Sequence, residues 1–271
     1  MAAAVPGLPP RAAAPERGCR TGIRRAAVPA GNVHARPPVA LTAPTAPTAR
    51  DPVRLLLRAP GVYAPQGDTL LLASCVRRER LDASGRVLDL CTGTGAVAIV
   101  AARTGARVTA VDVSARAVVT AWLNARLHRR RIRVRRGDLL APVAGRYFEL
   151  ITANPPYVPV DPAAGAAGRG AALAWDAGPD GRLVLDRICR TAPGLLAVGG
   201  VLLLVQSALA DVPATLALLR RAGLRTEVAA RRRQAFGPVM TARAALFERR
   251  GLIRPGEREE ELVVVRGVRE R

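Results

Sequence analysis

Short apolar segments of the type that form buried strands recur along the chain, and amphipathic segments separate them. The strand-type segments are Arg86–Leu90, Arg107–Val113, Ile132–Arg135, Phe148–Ile151, Gly200–Gln206, Leu224–Ala229 and Leu262–Val265. The helix-type segments are Leu70–Arg80, Ala96–Arg103, a segment that Ser114 caps and that runs to about Leu127, Asp180–Thr191, Val212–Ala222 and Gly237–Arg249. Strands that alternate with helices at this spacing predict right-handed βαβ crossovers and an α/β fold around a parallel sheet.

Residues 1–50 lack this periodicity and contain scattered Pro and Gly, with repeated Ala-Pro-Thr units at Ala43–Thr48. We expect a disordered extension rich in Ala, Pro and Arg, followed by one folded domain over residues 51–271. The composition of the extension resembles an organellar transit peptide. Because no amphipathic helix supports that interpretation, an overextended start is the alternative.

Arginine alone carries the net charge of +21, since all 42 basic residues are Arg and only 21 residues are acidic. A GC-rich coding bias accounts for Arg in place of Lys, but it does not account for the excess over acidic residues. A field of this sign attracts nucleic acid, which predicts contact with RNA or a ribosome-associated partner. Solvated faces and non-specific binding explain the same excess, and with few aromatic residues to stack on bases both interpretations stay open.

The remaining composition limits the class of protein. No apolar run reaches membrane-spanning length, because the most apolar one, Leu195–Val205, is interrupted by Gly199 and Gly200. The four cysteines show no C-x-x-C spacing, and only two histidines are present. These residues are Cys19, Cys75, Cys91, Cys189, His34 and His128. We therefore expect no membrane span, no metal site and a cytoplasmic location.

A glycine-rich loop, Cys-Thr-Gly-Thr-Gly at residues 91–95, lies between a predicted strand and a predicted helix. This arrangement brings a ligand close to backbone N–H groups at the start of a helix. Asp112 ends the next strand, 17 residues after Gly95, where an acid is suited to bind ribose hydroxyls. The pattern Gly93-x-Gly95-x-x-Ala98 also fits the dinucleotide fingerprint, so NAD is a rival ligand at this point.

The segment Asn154-Pro155-Pro156-Tyr157 follows the fourth apolar strand. Its prolines end strand pairing, which leaves backbone carbonyls free beside the Asn amide and the Tyr ring. That combination suits a planar group bearing an NH2, with Asn154 and a neighbouring carbonyl as acceptors and Tyr157 against its plane. A proline-rich turn with a capping Asn is the alternative. A dehydrogenase would need a His, Lys or Tyr side chain as the acid that accompanies hydride transfer. The chain has no Lys, and its two His lie outside these motifs. The segment therefore favours an amide or amine acceptor over hydride transfer.

Two loops are expected near this segment. In Gly61–Thr69, Asp68 or Thr69 is placed to cap the following helix, while Tyr63, Pro65 and Gln66 either border a ligand or serve only the turn. Residues 161–178 are rich in Gly and Ala, and we expect a mobile loop over the site.

Together these ordered motifs resemble the class I S-adenosylmethionine-dependent methyltransferases, and more narrowly the HemK-type protein (glutamine-N5) methyltransferases. The resemblance covers roughly residues 51–271. It is strongest with the short branch that lacks an N-terminal helical domain and carries Val-Tyr-x-Pro-x-x-Asp-Thr before the catalytic domain, here Val62–Thr69. It implies a Rossmann-like class I methyltransferase fold, with a mostly parallel seven-stranded sheet and helices on both faces.

The resemblance also implies roles for single residues. The methionine end of S-adenosylmethionine is expected at Asp89, Gly93 and Gly95, with Cys91 in the same loop where many members have the first Gly. Asp112 is expected to hold the ribose hydroxyls, and Asp138 with Leu139 the adenine edge. Asn154 and the Pro155 carbonyl would fix the target amide, and Asn154 would also contact the cofactor. Tyr157 would stack on the amide, and Tyr63, Pro65 and Pro156 would border the substrate. Gln66 departs from the small or acidic residue often found there.

The implied reaction is N5-methylation of the glutamine in the Gly-Gly-Gln motif of a peptide chain release factor, without a metal. Positioning and electrostatics would supply the catalysis, since an amide nitrogen is a poor nucleophile. A nucleic-acid base (adenine N6 or guanine N2) and a small-molecule amide or amine are alternative acceptors. A cofactor-binding scaffold without catalysis is a further alternative, against which the intact Asn154 and Tyr157 argue.

Overall fold

The computed structural model of the protein describes residues 56–161 and 177–271. The segment 1–50, for which the sequence predicts disorder, lies outside the described residues. So does the predicted loop over the site, apart from residues 161, 177 and 178.

Seven strands form one sheet in the described part of the chain: β1 (Arg86–Leu90), β2 (Arg107–Asp112), β3 (Ile132–Arg136), β4 (Phe148–Ala153), β5 (Leu196–Ser207), β6 (Leu224–Ala235) and β7 (Glu259–Arg269). Their order across the sheet is β3-β2-β1-β4-β5-β7-β6. The pairs among β1 to β5 are parallel, whereas β7 runs antiparallel between β5 and β6. The predicted mostly parallel, seven-stranded sheet is confirmed.

Helices cover both faces of the sheet. They are α1 (Gly67–Val76), α2 (Ala96–Ala101), α3 (Ala115–Leu127), α4 (Leu183–Thr191), α5 (Val212–Arg221), α6 (Pro238–Ala242) and α7 (Ala244–Arg249). Alternate residues of β1 point to opposite faces, so Leu88 and Leu90 pack in a core with α4, α5 and α7, while Val87 packs in a second core with α1 and α2. Burial of each such side chain contributes about 1.5–3 kcal/mol, so both cores stabilise the sheet.

Helix α3 brings small residues against the glycine loop. The Ser114 hydroxyl accepts a hydrogen bond from the Ala117 backbone N–H at 3.4 Å, which confirms the predicted cap. The buried face of α3 carries Ala117, Ala121 and Ala125. A methyl group at Gly95 would lie 3.1 Å from the Ala121 Cβ. Close packing of the middle of α3 against the start of α2 therefore depends on small residues on both sides.

Three local predictions were wrong. Helix α1 begins at Gly67, so Asp68 and Thr69 lie in its first turn, and the N-cap residue Gln66 makes no side-chain capping bond. The segment predicted as one helix, Gly237–Arg249, forms two short helices that meet at Arg243. The strands β5, β6 and β7 are each longer than their apolar segments.

None of the helices in the described residues has the length and apolar character needed to cross a bilayer.

Candidate active site

A cavity of about 420 Å³ lies where the carboxyl ends of β1, β2 and β4 meet. β1 pairs with β2 on one side and with β4 on the other, so the chain reverses its direction across the sheet at β1. In open α/β sheets, ligands bind in the crevice at such a switch point. Every residue that the sequence singles out for the site lines this cavity except Gly95.

The glycine loop after β1 adopts left-handed backbone conformations. Cys91, Gly93 and Gly95 have φ values of 54°, 55° and 82°. Cys91 is therefore a non-glycine residue in a conformation that favours glycine, at the position where the resemblance expects the first Gly. A methyl group at Gly93 would meet no protein atom within 4 Å, so the space beside it is open to a ligand.

Asp112, at the end of β2, is hydrogen-bonded to the loop that follows β1. One of its carboxylate oxygens accepts from the Gly93 backbone N–H at 2.9 Å, and the other accepts from the Ser114 N–H at 2.9 Å. Each oxygen keeps a second lone pair, which can accept a ligand hydroxyl. Burial raises the pKa of Asp112, opposed by its backbone hydrogen bonds.

Asp89 lies beneath the glycine loop and is 2% exposed. Its two oxygens accept from the hydroxyls of Thr92 at 2.5 Å and Thr152 at 2.6 Å. Burial raises the pKa of Asp89 to about 6. These bonds connect the loop to β4, so this carboxylate orders the loop as well as lining the cavity.

The cofactor end of the cavity is the part lined by the glycine loop, Asp112 and Asp138. There, Asp138 is exposed and forms an ion pair with Arg187 at 2.6 Å. Arg187 lines the cavity from α4 and was not predicted, because nothing in the pattern of a helix marks such a partner. Leu139, at φ 47°, and the half-exposed Val113 form apolar walls here. Apolar walls beside an acid suit a flat heteroaromatic ring.

The acceptor end is the part of the cavity lined by Tyr63, Asp68, Asn154 and Tyr157, and Asp68 is its centre. The sequence pattern predicted only a capping role for Asp68. The residue is 2% exposed. Its Oδ2 accepts from the Tyr63 hydroxyl at 2.9 Å, the Tyr157 hydroxyl at 3.0 Å and the Asn154 Nδ2 at 3.2 Å. Its Oδ1 accepts from the Thr69 backbone N–H and hydroxyl. The segment Val-Tyr-x-Pro-x-x-Asp-Thr was the available signal for this role.

The orientation of the Asn154 side chain follows from these contacts. A carboxylate can only accept, so Asn154 must turn its NH2 group toward Asp68. The same NH2 donates to the Thr69 hydroxyl at 3.4 Å. The Asn154 oxygen therefore lies at the other end of the amide, and no described residue donates a hydrogen bond to it.

Both tyrosines at this end are neutral hydroxyl donors. Burial raises the pKa of Tyr63, and the nearby Asp68 raises it further. Burial, followed by the charge of Asp68, raises the pKa of Tyr157 well above its ordinary value. Their rings consequently border the cavity with fixed orientations, while Pro65, Pro155 and Pro156 complete the wall around Asn154.

Two further polar residues line the acceptor end and were not predicted. The Gln234 Nε2 donates to the Glu260 Oε1 at 3.2 Å, and burial raises the pKa of Glu260. They come from β6 and β7, in parts of those strands that the apolar pattern does not reach. In the described residues, no cluster of His, Cys, Asp or Glu has the composition of a metal site.

Comparison with known proteins agrees with this geometry. The family profile described as Methyltransferase small domain matches residues 55–166. A putative protein N5-glutamine methyltransferase of Methanocaldococcus jannaschii is 34% identical over 187 residues, which cover 68% of this chain and 92% of that protein. A release factor glutamine methyltransferase of Bordetella pertussis is 40% identical over 64% of this chain and 66% of its own length. A ribosomal protein uL3 glutamine methyltransferase of Bradyrhizobium diazoefficiens is 43% identical over 44% of this chain and 39% of its own length.

Among solved structures, a chain of the E. cuniculi Mtq2–Trm112 complex matches with a TM-score of 0.54 and 25% identity. The match covers 77% of this chain and 99% of that chain. That complex is described as responsible for methylation of the eRF1 translation termination factor.

The sheet order and the cavity at its switch point define a Rossmann-like class I methyltransferase. Since the M. jannaschii relative matches over nearly its whole length, the chain belongs to the protein N5-glutamine methyltransferase family. Membership of this family favours the methyltransferase interpretation of the glycine loop over the NAD interpretation.

Proposed function

We propose that this protein transfers the methyl group of S-adenosylmethionine to the side-chain nitrogen of a glutamine. We further propose that this glutamine belongs to the Gly-Gly-Gln motif of a peptide chain release factor. The orientation of Asn154 carries the proposal, because its fixed NH2 group leaves a hydrogen-bond acceptor beside the cavity. A primary amide offers the two N–H donors that such an acceptor needs.

The residues present fit the cofactor. The open space beside Gly93 admits an atom of the ligand close to the backbone, and Asp112 keeps lone pairs for two ribose hydroxyls. Leu139 and Val113 would flank the adenine ring, with Asp138 at its edge. Bound there, S-adenosylmethionine supplies a methyl group activated by a positively charged sulfur.

The side chains of the acceptor end would position the glutamine. Asn154 Oδ1 and the Pro155 carbonyl would each accept one N–H of the target amide, and no described residue donates to that carbonyl. S-adenosylmethionine would supply the methyl carbon, with sulfur keeping the electron pair of the broken carbon–sulfur bond, and the glutamine nitrogen would pass one proton to water. Positive charge builds up on nitrogen along this path, so the two acceptors bind more tightly as the reaction proceeds.

The names of relatives support a glutamine in the translation machinery. The release factor enzyme matches this chain over more residues than the uL3 enzyme, which favours the release factor. The uL3 glutamine is the second candidate, because the uL3 enzyme has the higher identity over its shorter match. The cytoplasmic location stays a prediction.

The test is single-turnover transfer of labelled methyl to a release factor fragment that contains Gly-Gly-Gln, with a fragment carrying Ala in place of that glutamine as the control. We expect label only in the first fragment. Asn154→Ala should slow transfer roughly 100-fold while cofactor affinity stays within about threefold, because the lost bond acts on the acceptor.

The alternative acceptors are separate arms of this test. Preferential labelling of uL3 would keep the glutamine chemistry and overturn the release factor assignment. Labelling of RNA, DNA or a metabolite with no labelling of either protein would overturn the glutamine assignment. Unchanged transfer by the Ala variant would remove Asn154 from the proposed role.

A further inference from the structure

A long segment of the chain carries positive charge with no acidic residue among its positions. Residues 113–137 contain eight Arg and neither Asp nor Glu, although the chain has 21 acidic residues. Seven of these arginines are exposed, and six of the seven follow closely on one another. We call these six the basic edge; they are Arg126, Arg129, Arg131, Arg133, Arg135 and Arg136.

The basic edge lies at one margin of the sheet. It runs from the end of α3 through the following turn into β3, the outermost strand. In β3, Ile132 and Val134 pack against the core, so the alternating Arg133 and Arg135 project from the other face. Two residues of strand separate them by about 7 Å, a spacing that successive phosphates of a nucleic-acid strand can match.

The charges of the basic edge are not neutralised within the described structure. None of its six arginines forms an ion pair with a described residue. The opposite margin of the sheet differs, because there Arg225 pairs with Glu270 and Arg231 pairs with Glu261. Coding bias would place Arg at both margins alike, but it does not remove the acids from one of them.

An exposed aromatic ring lies beside one of these charges, at the α3 end of the basic edge. Trp122, on the outer face of α3, is 46% exposed, and the Arg126 guanidinium lies 5.3 Å from its ring centroid. Val119, Leu123 and Leu127 are also exposed on this helix. Stacking on such a ring contributes to the binding of single-stranded nucleic acids, because every base has a flat face.

We propose that the basic edge and Trp122 bind single-stranded nucleic acid, with arginines on the phosphates and the indole against a base. This activity is separate from methyl transfer. An acidic protein segment would satisfy the charges, but the planar guanidinium groups suit phosphate bidentately and the indole suits a base, so the combination favours nucleic acid.

The experiment measures fluorescence anisotropy of a labelled 20-nucleotide RNA and the matching DNA at several salt concentrations, with the full-length protein. Arg133→Glu with Arg135→Glu should weaken binding at least tenfold near 100 mM salt and reduce the salt slope by about 1.4, for two lost contacts. The matched control is Arg232→Glu with Arg233→Glu, which changes the net charge equally at the opposite margin. It should weaken binding less than threefold.

Trp122→Ala should weaken binding roughly tenfold and leave the salt slope unchanged, because stacking releases no counterions. Equal losses for the two double variants would overturn the proposal in favour of general charge attraction. It would also be overturned by absent binding in the wild type, or by a poly-glutamate peptide competing as well as RNA. Unchanged melting temperatures of the variants check that each is folded.

Discussion

The carboxylate of Asp68 holds together the polar side chains of the acceptor end. Its partners Asn154 and Tyr157 are 86 and 89 residues away along the chain. A buried carboxylate with several donors is a fixed reference point, since loss of any one bond would leave a donor buried without a partner. We therefore infer that Asp68 acts on the reaction by fixing Asn154, and that it does not itself touch the acceptor.

Asp68→Asn tests this inference. The variant keeps the shape but offers one acceptor oxygen and an added NH2, so the Asn154 amide loses its fixed orientation. We expect the single-turnover rate of methyl transfer to fall about 10- to 100-fold with cofactor affinity within about threefold. Single-turnover transfer and cofactor titration give both values.

A double variant separates positioning from a general structural role. If Asp68 acts through Asn154, Asp68→Asn combined with Asn154→Ala should be no slower than Asn154→Ala alone. Additive losses would contradict the inference. Thr69→Val removes only the longer of the two bonds to the Asn154 NH2 and should have a smaller effect.

Among the elements, the inner parallel strands were predicted well, because both faces of each strand are buried and their apolar runs are nearly continuous. The ends of β6 and β7 were missed. Arg231, Arg232 and Arg233 are exposed on β6, and Arg233 and Gln234 pair with Glu261 and Glu260 of β7, so polar and charged residues interrupt the apolar pattern here. The hydrophobic pattern of a strand also does not predict its direction in the sheet. The resemblance implied a mostly parallel sheet without saying that β7 is the antiparallel strand.

The same limit applies to the site. The local motifs predicted the residues that line the cavity, because a strand end, a glycine loop and a proline turn each have a sequence signature. Asp68, Gln234 and Glu260 meet Asn154 or one another through tertiary contacts, which no local pattern contains. Asp68 was interpreted as a cap because that explanation is local.

The junction between the glycine loop and α2 gives a prediction about two glycines. Gly95→Ala adds left-handed strain and a methyl 3.1 Å from the Ala121 Cβ, so it should destabilise the fold by about 1–3 kcal/mol. Gly93→Ala adds strain without a collision, and its methyl group enters the space proposed for the cofactor. It should therefore reduce cofactor affinity more than its effect on stability explains.

Melting temperature and cofactor titration check both variants. Gly145→Ala is the matched control, because Gly145 also has a positive φ, of 73°, and open space around it, and it does not line the cavity. If Gly93→Ala lowers affinity no more than Gly145→Ala does, the open space beside Gly93 is not part of the cofactor site.

For the whole molecule, buried Asp89 makes stability depend on pH. Its folded pKa of about 6 is above the unfolded value of about 4. The folded state therefore holds the proton more tightly, and the stabilisation is complete below pH 4 and lost as pH rises to about 6. Relative to Asp89→Asn, the wild type should lose up to about 3 kcal/mol of unfolding free energy over this interval. Urea unfolding of both proteins from pH 4 to pH 8 measures the difference.

Asp82→Asn is a control in which the change of stability with pH has the opposite sign. Hydrogen bonds from Ser84 and Gly85 lower the pKa of exposed Asp82. Its contribution is therefore present above about pH 4 and is lost as the pH falls further. Parallel pH curves for the wild type and Asp89→Asn would show that Asp89 does not titrate in this interval.

The order of the last two strands determines when each end of the cavity can form during synthesis. β6 touches the sheet only through β7, which begins 24 residues after β6 ends. As the chain leaves the ribosome, β6 emerges before its partner strand β7. It can join the sheet only after β7 has paired with β5. Gly93, Asp112 and Asp138 have all emerged long before, whereas Gln234 and Glu260 take their places only when this hairpin docks. We therefore expect Gln234 and Glu260 to be the last polar residues to join the cavity.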